Sequence, residues 1–266
     1  MCVMHPSDKK YAVVTGACSG IGYQFARALA AQKYDLVMVS NRDKEIHEAA
    51  EKVAADYGVV TRPLCLDLAK QTAANDLLDF CENYDVEVLI NNAGVFSFAD
   101  VGPRTPPFLE LIIGLHVATL SRLTVLFGER MKQRGGGYIL NSSSLAGYFA
   151  FPGISLYAAT KGYVRLFSES LWYEYRPHHV TVMSLCPGAV ATDLYGLPTF
   201  YQHLGVRLGI ICRPEKMVQK ALKRLFKGRR VYIPYPLLNV PMKWMMQLLP
   251  SCFIRFIYGK VKRFQK

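Results

Sequence analysis

Short runs of β-branched and aliphatic residues alternate with longer stretches of helical periodicity along the first two thirds of the chain. Tyr11 to Thr15 reads as a first strand and Gly22 to Gln32 as the helix after it. Leu36 to Ser40 is a second strand, Lys44 to Tyr57 a second helix, and Arg62 to Leu66, Val88 to Asn91, Tyr138 to Asn141 and Val180 to Cys186 are further strands. The spacings leave room for the crossover helix that a parallel pair needs, and right-handed crossovers then give a doubly wound α/β sheet with helices on both faces. No repeat, low-complexity stretch or Gly/Ser linker divides this pattern, so one domain over residues 1–235 is expected. Residues 189–213 differ in texture: they carry Gly196, Pro198, Gly205 and Gly209 without a period and read as a loop with short helical pieces.

Half of the 266 residues are apolar and a fifth are charged, enough for a buried core and unlike a disordered chain. The seven cysteines are scattered, with no CxxC or His/Cys cluster at metal-ligand spacing. A reducing, cytoplasmic setting and no metal are expected. Met1 leads into a polar stretch and then a strand, without the charged-then-apolar pattern of an export signal. The net charge of +12 is unevenly placed: residues 1–202 hold 17 Lys/Arg against 19 Asp/Glu, whereas residues 203–266 hold 15 against one. Such asymmetry marks either a polyanionic partner or a solvated basic surface.

Three segments carry chemistry. Thr15-Gly16-Ala17-Cys18-Ser19-Gly20-Ile21-Gly22 is a glycine-rich turn between the first strand and its helix. Glycines there let backbone approach a pyrophosphate, and the helix N-terminus supplies free N–H groups and positive potential. Asn91-Asn92-Ala93-Gly94 ends the fourth strand, where open α/β sheets bind ligands. Tyr157-Ala158-Ala159-Thr160-Lys161 opens a long amphipathic helix and sets phenol and ammonium on one face. A free tyrosine, with a pKa near 10, is a poor acid at neutral pH, and a neighbouring cation lowers it by roughly 1 to 3 units.

Together with the later Pro187-Gly188 and Thr192, these motifs resemble the short-chain dehydrogenase/reductase family over about Lys10 to Thr192. The resemblance implies a Rossmann-type sheet of about seven parallel strands and hydride transfer between a nicotinamide cofactor and a carbonyl or alcohol. By the same resemblance Tyr157 is the proton donor in reduction, Lys161 binds the nicotinamide ribose and depresses the tyrosine pKa, and Ser144, heading Ser-Leu-Ala-Gly, hydrogen-bonds the substrate oxygen. Ser142 and Ser143 read as strand-end hydroxyls. The cofactor set it implies is Gly16, Cys18, Ser19, Gly20, Ile21, Gly22, Ser40, Asn41, Arg42, Asp67, Leu68, Asn92, Ala93, Gly94, Pro187, Gly188, Val190 and Thr192, with Tyr157 and Lys161. One position departs from the family pattern. Where many members place an asparagine that holds a proton-relaying water, this chain has His116, which is either a relay group or a buried, satisfied histidine.

The second strand ends Val39-Ser40-Asn41-Arg42 with no carboxylate until Asp43. An acid there selects NAD(H), whereas an arginine accommodates the 2′-phosphate, so NADP(H) is expected over NAD(H). Leu194, Tyr195, Phe200 and Tyr201, with Phe149 and Phe151, suggest a bulky apolar ketone or alcohol as substrate. In residues 236–266, Trp244, Met245, Leu248, Phe253 and Ile254 interleave with Lys243, Arg255, Lys260, Lys262 and Arg263. No run reaches the roughly 20 apolar residues of a spanning helix. The segment reads as interfacial and amphipathic, meeting an anionic membrane surface from the cytoplasmic side, or as an arm packed on the protein. The tail resembles that of long-chain 3-ketoacyl and 3-ketosphinganine reductases and of some hydroxysteroid dehydrogenases, and the family implies a homodimer or homotetramer. A catalytically weak NADP-binding regulator or scaffold is the rival class, against which the intact Tyr157 and Lys161 argue. No nucleic acid is expected, since the basic residues are interleaved with aliphatics as much as with aromatics.

Overall fold

A parallel seven-stranded sheet runs through the protein in the order β3-β2-β1-β4-β5-β6-β7. The structure is a computed structural model, and it describes residues 10–102, 105–190, 211–234, 241, 244–245, 248 and 250–264. The strands are β1 (Tyr11–Thr15), β2 (Asp35–Ser40), β3 (Thr61–Cys65), β4 (Val86–Asn91), β5 (Gly137–Ser142), β6 (Val180–Leu185) and β7 (Val231–Tyr232). Central strands show almost no exposed position, with β2 buried at all six residues. Helices on both faces remove the usual in/out alternation, which is why these strands appear in the sequence as short continuous apolar runs.

One face of the sheet is covered by α1 (Gly20–Ala30), α2 (Asp43–Tyr57) and α7 (Pro214–Phe226), through a core that includes Phe25, Leu29, Met38, Ile46, Ile90 and Leu222. The other is covered by α3 (Ala73–Phe80), α5 (Leu120–Arg134) and α6 (Ser155–Tyr175), around Val13, Leu77, Leu89, Leu123, Phe127 and Ile139. The strands and helices expected between Tyr11 and Cys186 are present, with ends that differ by at most two residues, whereas the loop expected over residues 189–213 lies, from 191 to 210, outside the described residues. α1 begins at Gly20 because Ser19 before it is extended at φ −155°. β7 was not identified as a strand by the hydrophobic pattern, since two residues are too few to show a period.

Between α4 (Pro106–Ile113) and α5 the helix widens into a π-helical segment, Gly114–Thr119, that carries His116. The whole stretch Pro106–Arg134 is long and apolar enough to cross a membrane. Its second half, α5, packs on the sheet with Leu123, Phe127 and Met131 essentially without exposure, while Leu111, Ile113 and Val125 are exposed. Below the strand ends, buried polar groups tie sheet to helices. Asn91 Nδ2 donates to Asn141 Oδ1 at 2.9 Å and Thr124 Oγ1 at 3.1 Å, and Asn141 Nδ2 donates to Ser168 Oγ at 2.9 Å. Asn91 Oδ1 is left without a partner in this network, while the bonds that are made hold the sheet and its helices in one arrangement.

At the C-terminus α8 (Ser251–Phe264) reaches back to the loop after β4: the Tyr258 hydroxyl donates to Asp100 Oδ1, and its ring lies 6.0 Å from that of Phe98. Trp244, Met245, Leu248 and Phe253 are 48% to 81% exposed, an apolar surface on a strongly basic segment.

Candidate active site

The C-terminal ends of β1, β2, β4, β5 and β6 open into one cavity of about 490 Å³. Its floor is the glycine-rich turn after β1. Gly16 has φ +66°, and a Cβ there would lie 3.0 Å from Ala93 Cα. At Gly22 a Cβ would fall 2.0 Å from the Gly16 carbonyl oxygen, so the first turn of α1 packs on the glycine loop as only glycine allows. Thr15 fastens this turn to the second motif: its Oγ1 accepts from the Asn92 and Ala93 amides at 2.9 and 3.0 Å and donates to the Ile90 carbonyl at 3.3 Å. Two segments more than seventy residues apart thus form one surface.

Cys18, Ser19, Gly20, Ile21, Ser40, Asn41, Arg42, Asp67, Leu68, Asn92, Ala93, Gly94, Pro187 and Val190 line the cavity with Gly16. Gly22 lies behind this lining as packing, and Gly188 is outside it. Thr192, Leu194, Tyr195, Phe200 and Tyr201 lie outside the described residues. Leu66, Val95, Leu111, Leu115 and Leu185 also line the cavity, and the sequence motifs do not point to them. Leu111 and Leu115, one turn apart and beside His116, were recoverable from helical spacing.

At one end Arg42 Nη2 donates to Ser19 Oγ at 2.6 Å and Cys18 Sγ at 2.8 Å, while the Arg42 amide donates to Ser40 Oγ at 3.2 Å. The guanidinium is thereby held beside the N-terminus of α1, whose unpaired N–H groups add positive potential. A glycine cradle, a helix N-terminus and a cation after β2 fit the phosphates of a nicotinamide dinucleotide.

At the other end α6 presents Tyr157 and Lys161, both buried and both in the lining. Lys161 Nζ donates to the Ser142 carbonyl at 2.7 Å and stands 5.6 Å from the centre of the Tyr157 ring. Burial lowers the Lys161 pKa to about 8, against a smaller upward pull from Cys186. The ring of Phe96 meets that of Tyr157 edge-on at 5.0 Å.

The three consecutive serines separate in space. Ser142 and Ser143 line the cavity, and Ser143 Oγ donates to the Lys161 carbonyl at 2.7 Å. Ser144 is buried and outside that lining; its Oγ accepts from the Ala146 amide at 3.1 Å, capping the short helix Leu145–Tyr148, and donates to the Pro187 carbonyl at 3.5 Å. That last bond is at the weak limit, so the hydroxyl proton is free to turn to a better acceptor.

His116, without exposed surface, is also in the lining. It accepts from the Val95 amide at Nε2 (2.9 Å), and its Nδ1 lies 3.0 Å from Thr160 Oγ1. Burial, and then the charge of Lys161, push its pKa down to about 2. A second cavity of about 510 Å³, lined among others by Val101, Phe108, Ile154 and Leu156, runs up to Tyr157 beneath the rim where α8 attaches.

Comparison with known proteins agrees with this geometry. The family model described as short chain dehydrogenase matches residues 10–197. A very-long-chain 3-oxoacyl-CoA reductase from Anas platyrhynchos is 32% identical over 266 residues, covering 97% of this chain and 81% of that protein. Another, very-long-chain 3-oxoacyl-CoA reductase-A from Danio rerio, is 29% identical over 196 residues, 72% of this chain; the match spans 61% of that relative's length. Among solved structures, a short-chain dehydrogenase from Sphingobium yanoikuyae in complex with NADPH superposes with a TM-score of 0.77 at 26% identity, covering 91% of this chain and 97% of that one.

Proposed function

Since this chain belongs to the short-chain dehydrogenase family, a family of nicotinamide-dependent oxidoreductases, we propose that it reduces the ketone of a long-chain 3-oxo lipid with NADPH. The observation that carries this is one continuous cavity with Arg42 at one end and the Tyr157–Lys161 face of α6 at the other. The residues at its two ends would hold a nicotinamide dinucleotide, Arg42 and the glycine turn at the phosphates and Lys161 at the ribose beside Tyr157. NADPH, when bound, supplies the hydride. Tyr157 gives its phenolic proton to the substrate oxygen as negative charge builds there, and Ser144, outside the cavity lining but held only weakly by the Pro187 carbonyl at 3.5 Å, would turn its hydroxyl to donate a second hydrogen bond to the same oxygen. Lys161, held by the Ser142 carbonyl, keeps a cation near the phenol and favours release of its proton.

Preference for the phosphorylated cofactor rests on Arg42. With Arg42→Ala, the ratio of kcat/KM for NADPH to that for NADH falls by about ten- to a hundredfold, as loss of a charge-assisted contact to phosphate implies. An unchanged ratio, measured by steady-state kinetics with both cofactors, overturns the assignment.

The long-chain substrate is supported by the apolar second cavity reaching Tyr157 and by the relatives named 3-oxoacyl-CoA reductases. The C-terminal segment, residues 236–266, would lie on an anionic membrane at the cytoplasmic face, with Trp244, Leu248 and Phe253 towards the lipid and the basic residues at the phosphates. Ending the chain before Leu237 then moves the protein from vesicles of anionic phospholipid to the soluble fraction, and unaltered co-sedimentation contradicts it. Assembly as a homodimer or homotetramer is the family's habit, and exposed Val125, Leu166 and Tyr173 on α5 and α6 offer apolar surface for it.

A further inference from the structure

We propose that His116 is a positioning residue, a neutral imidazole locked in one tautomer that ties the loop after β4 to the turn of α6 carrying Tyr157, and not a proton relay. This rests on the reading of Tyr157 as the proton donor. The assignment follows from the hydrogen bonds alone. The Val95 amide can only donate, so Nε2, 2.9 Å away, must present its lone pair. The ring proton therefore sits on Nδ1 and points at Thr160 Oγ1, 3.0 Å distant. Thr160 uses its own proton on the Tyr157 carbonyl at 3.0 Å. Val95 N–H, His116, Thr160 and the Tyr157 carbonyl thus form one chain with every donor pointing the same way, ending on the backbone of the reacting residue.

Such a chain has no vacancy for a travelling proton. To take one up, Nε2 must break from Val95 and turn two N–H groups towards each other; to give one up, Nδ1 must leave Thr160. The titratable groups facing the ring from α6 are Lys161, whose cation opposes a second positive charge, and Tyr157, whose ring centre is 6.0 Å away. The ring also meets the loop after β4, where a Cβ at Gly94 would stand 2.9 Å from Nε2, so the loop can close on the imidazole only with glycine there. The π-helical turn completes the fit by carrying His116 inward. An asparagine is shorter and would not span Val95 and Thr160 in the same way, which explains how this chain keeps its site ordered with histidine at that position.

The experiment reads the ring directly. Nitrogen-15 NMR of uniformly labelled protein, with the His116 signals identified by their loss in His116→Gln, is recorded from pH 5 to 9. The expected result is a neutral Nδ1–H ring that does not titrate; an Nε2–H ring, or titration within that range, overturns the proposal. Kinetics supply a second arm. Thr160→Val, nearly isosteric and cutting the chain one step later, lowers kcat by about ten- to a hundredfold, the scale of a sub-ångström misplacement of the donor, while the pH profile keeps its shape. His116→Gln, which can accept and donate at once, recovers part of the loss seen in His116→Ala. A relay instead predicts that the His116 variants change the pH profile and that Thr160→Val does not lower kcat. Should Tyr157→Phe leave turnover intact, the catalytic reading fails, yet the NMR result still decides the tautomer.

Discussion

Replacing Tyr157 with phenylalanine lowers kcat by about 10²- to 10⁴-fold, the worth of a positioned general acid. The substitution removes one oxygen and leaves the ring, so the edge-on contact with Phe96 at 5.0 Å and the packing against His116 survive. NADPH affinity, followed by the change in cofactor fluorescence on titration, stays within a few-fold of wild type, and the melting temperature moves little. The separation matters because it distinguishes loss of a proton from loss of a site. A variant that turns over at the wild-type rate places the proton donor elsewhere.

Lys161→Met raises stability, where Tyr157→Phe leaves it almost unchanged, and also lowers activity. Lys161 is 5% exposed, and burial brings its pKa from 10.5 down to about 8. Between those two values the unfolded chain holds a proton that the native chain does not, so this group makes the protein more stable as pH rises from 8 to 10.5. Below pH 8 the cost of burying the cation is present in full. Methionine is similar in length and apolar, so it removes that cost, although it leaves the Ser142 carbonyl, bonded at 2.7 Å in the wild type, without its donor. The net gain is about 1–2 kcal/mol at pH 7, or roughly 3–6 °C in Tm for a chain of this size. kcat/KM falls on the order of 10²- to 10³-fold as the charge beside the phenol disappears. Calorimetry at pH 7 and at pH 10 checks both halves: the gain is large at the first and shrinks at the second. A destabilised variant at pH 7 would show that the lysine contributes more through its hydrogen bond than it costs through its charge.

Much of the architecture was readable because burial on both faces of the sheet writes strands as continuous apolar runs, as at Leu36 to Ser40. The active-site motifs were readable for a related reason: Gly16, Asn92, Tyr157 and Lys161 sit at strand ends and in the first two turns of a helix, where local chemistry is strict. What was not readable depends on partners distant in sequence. That Arg42 is held by Ser19 and Cys18, that Ser142 and Ser143 rather than Ser144 face the main cavity, and that α8 attaches to the rim at Asp100 are all facts of packing. His116 shows the same limit. Its helix and its departure from the family pattern were plain, but its role turns on the Val95 amide, which no side-chain pattern reveals. β7 escaped because its two residues follow the strand register of β6 and carry no pattern of their own.

The proposed reduction of a lipid ketone with NADPH is tested most directly by following NADPH absorbance with the purified protein against 3-oxoacyl thioesters graded from short to very long chains, with a hydroxysteroid ketone and NADH in parallel. The expected result is a kcat/KM that rises with chain length, favours NADPH and is lost in Tyr157→Phe. Binding of NADPH without turnover of any of these ketones, at a level indistinguishable from Tyr157→Phe, would contradict it and make the protein a cofactor-binding regulator.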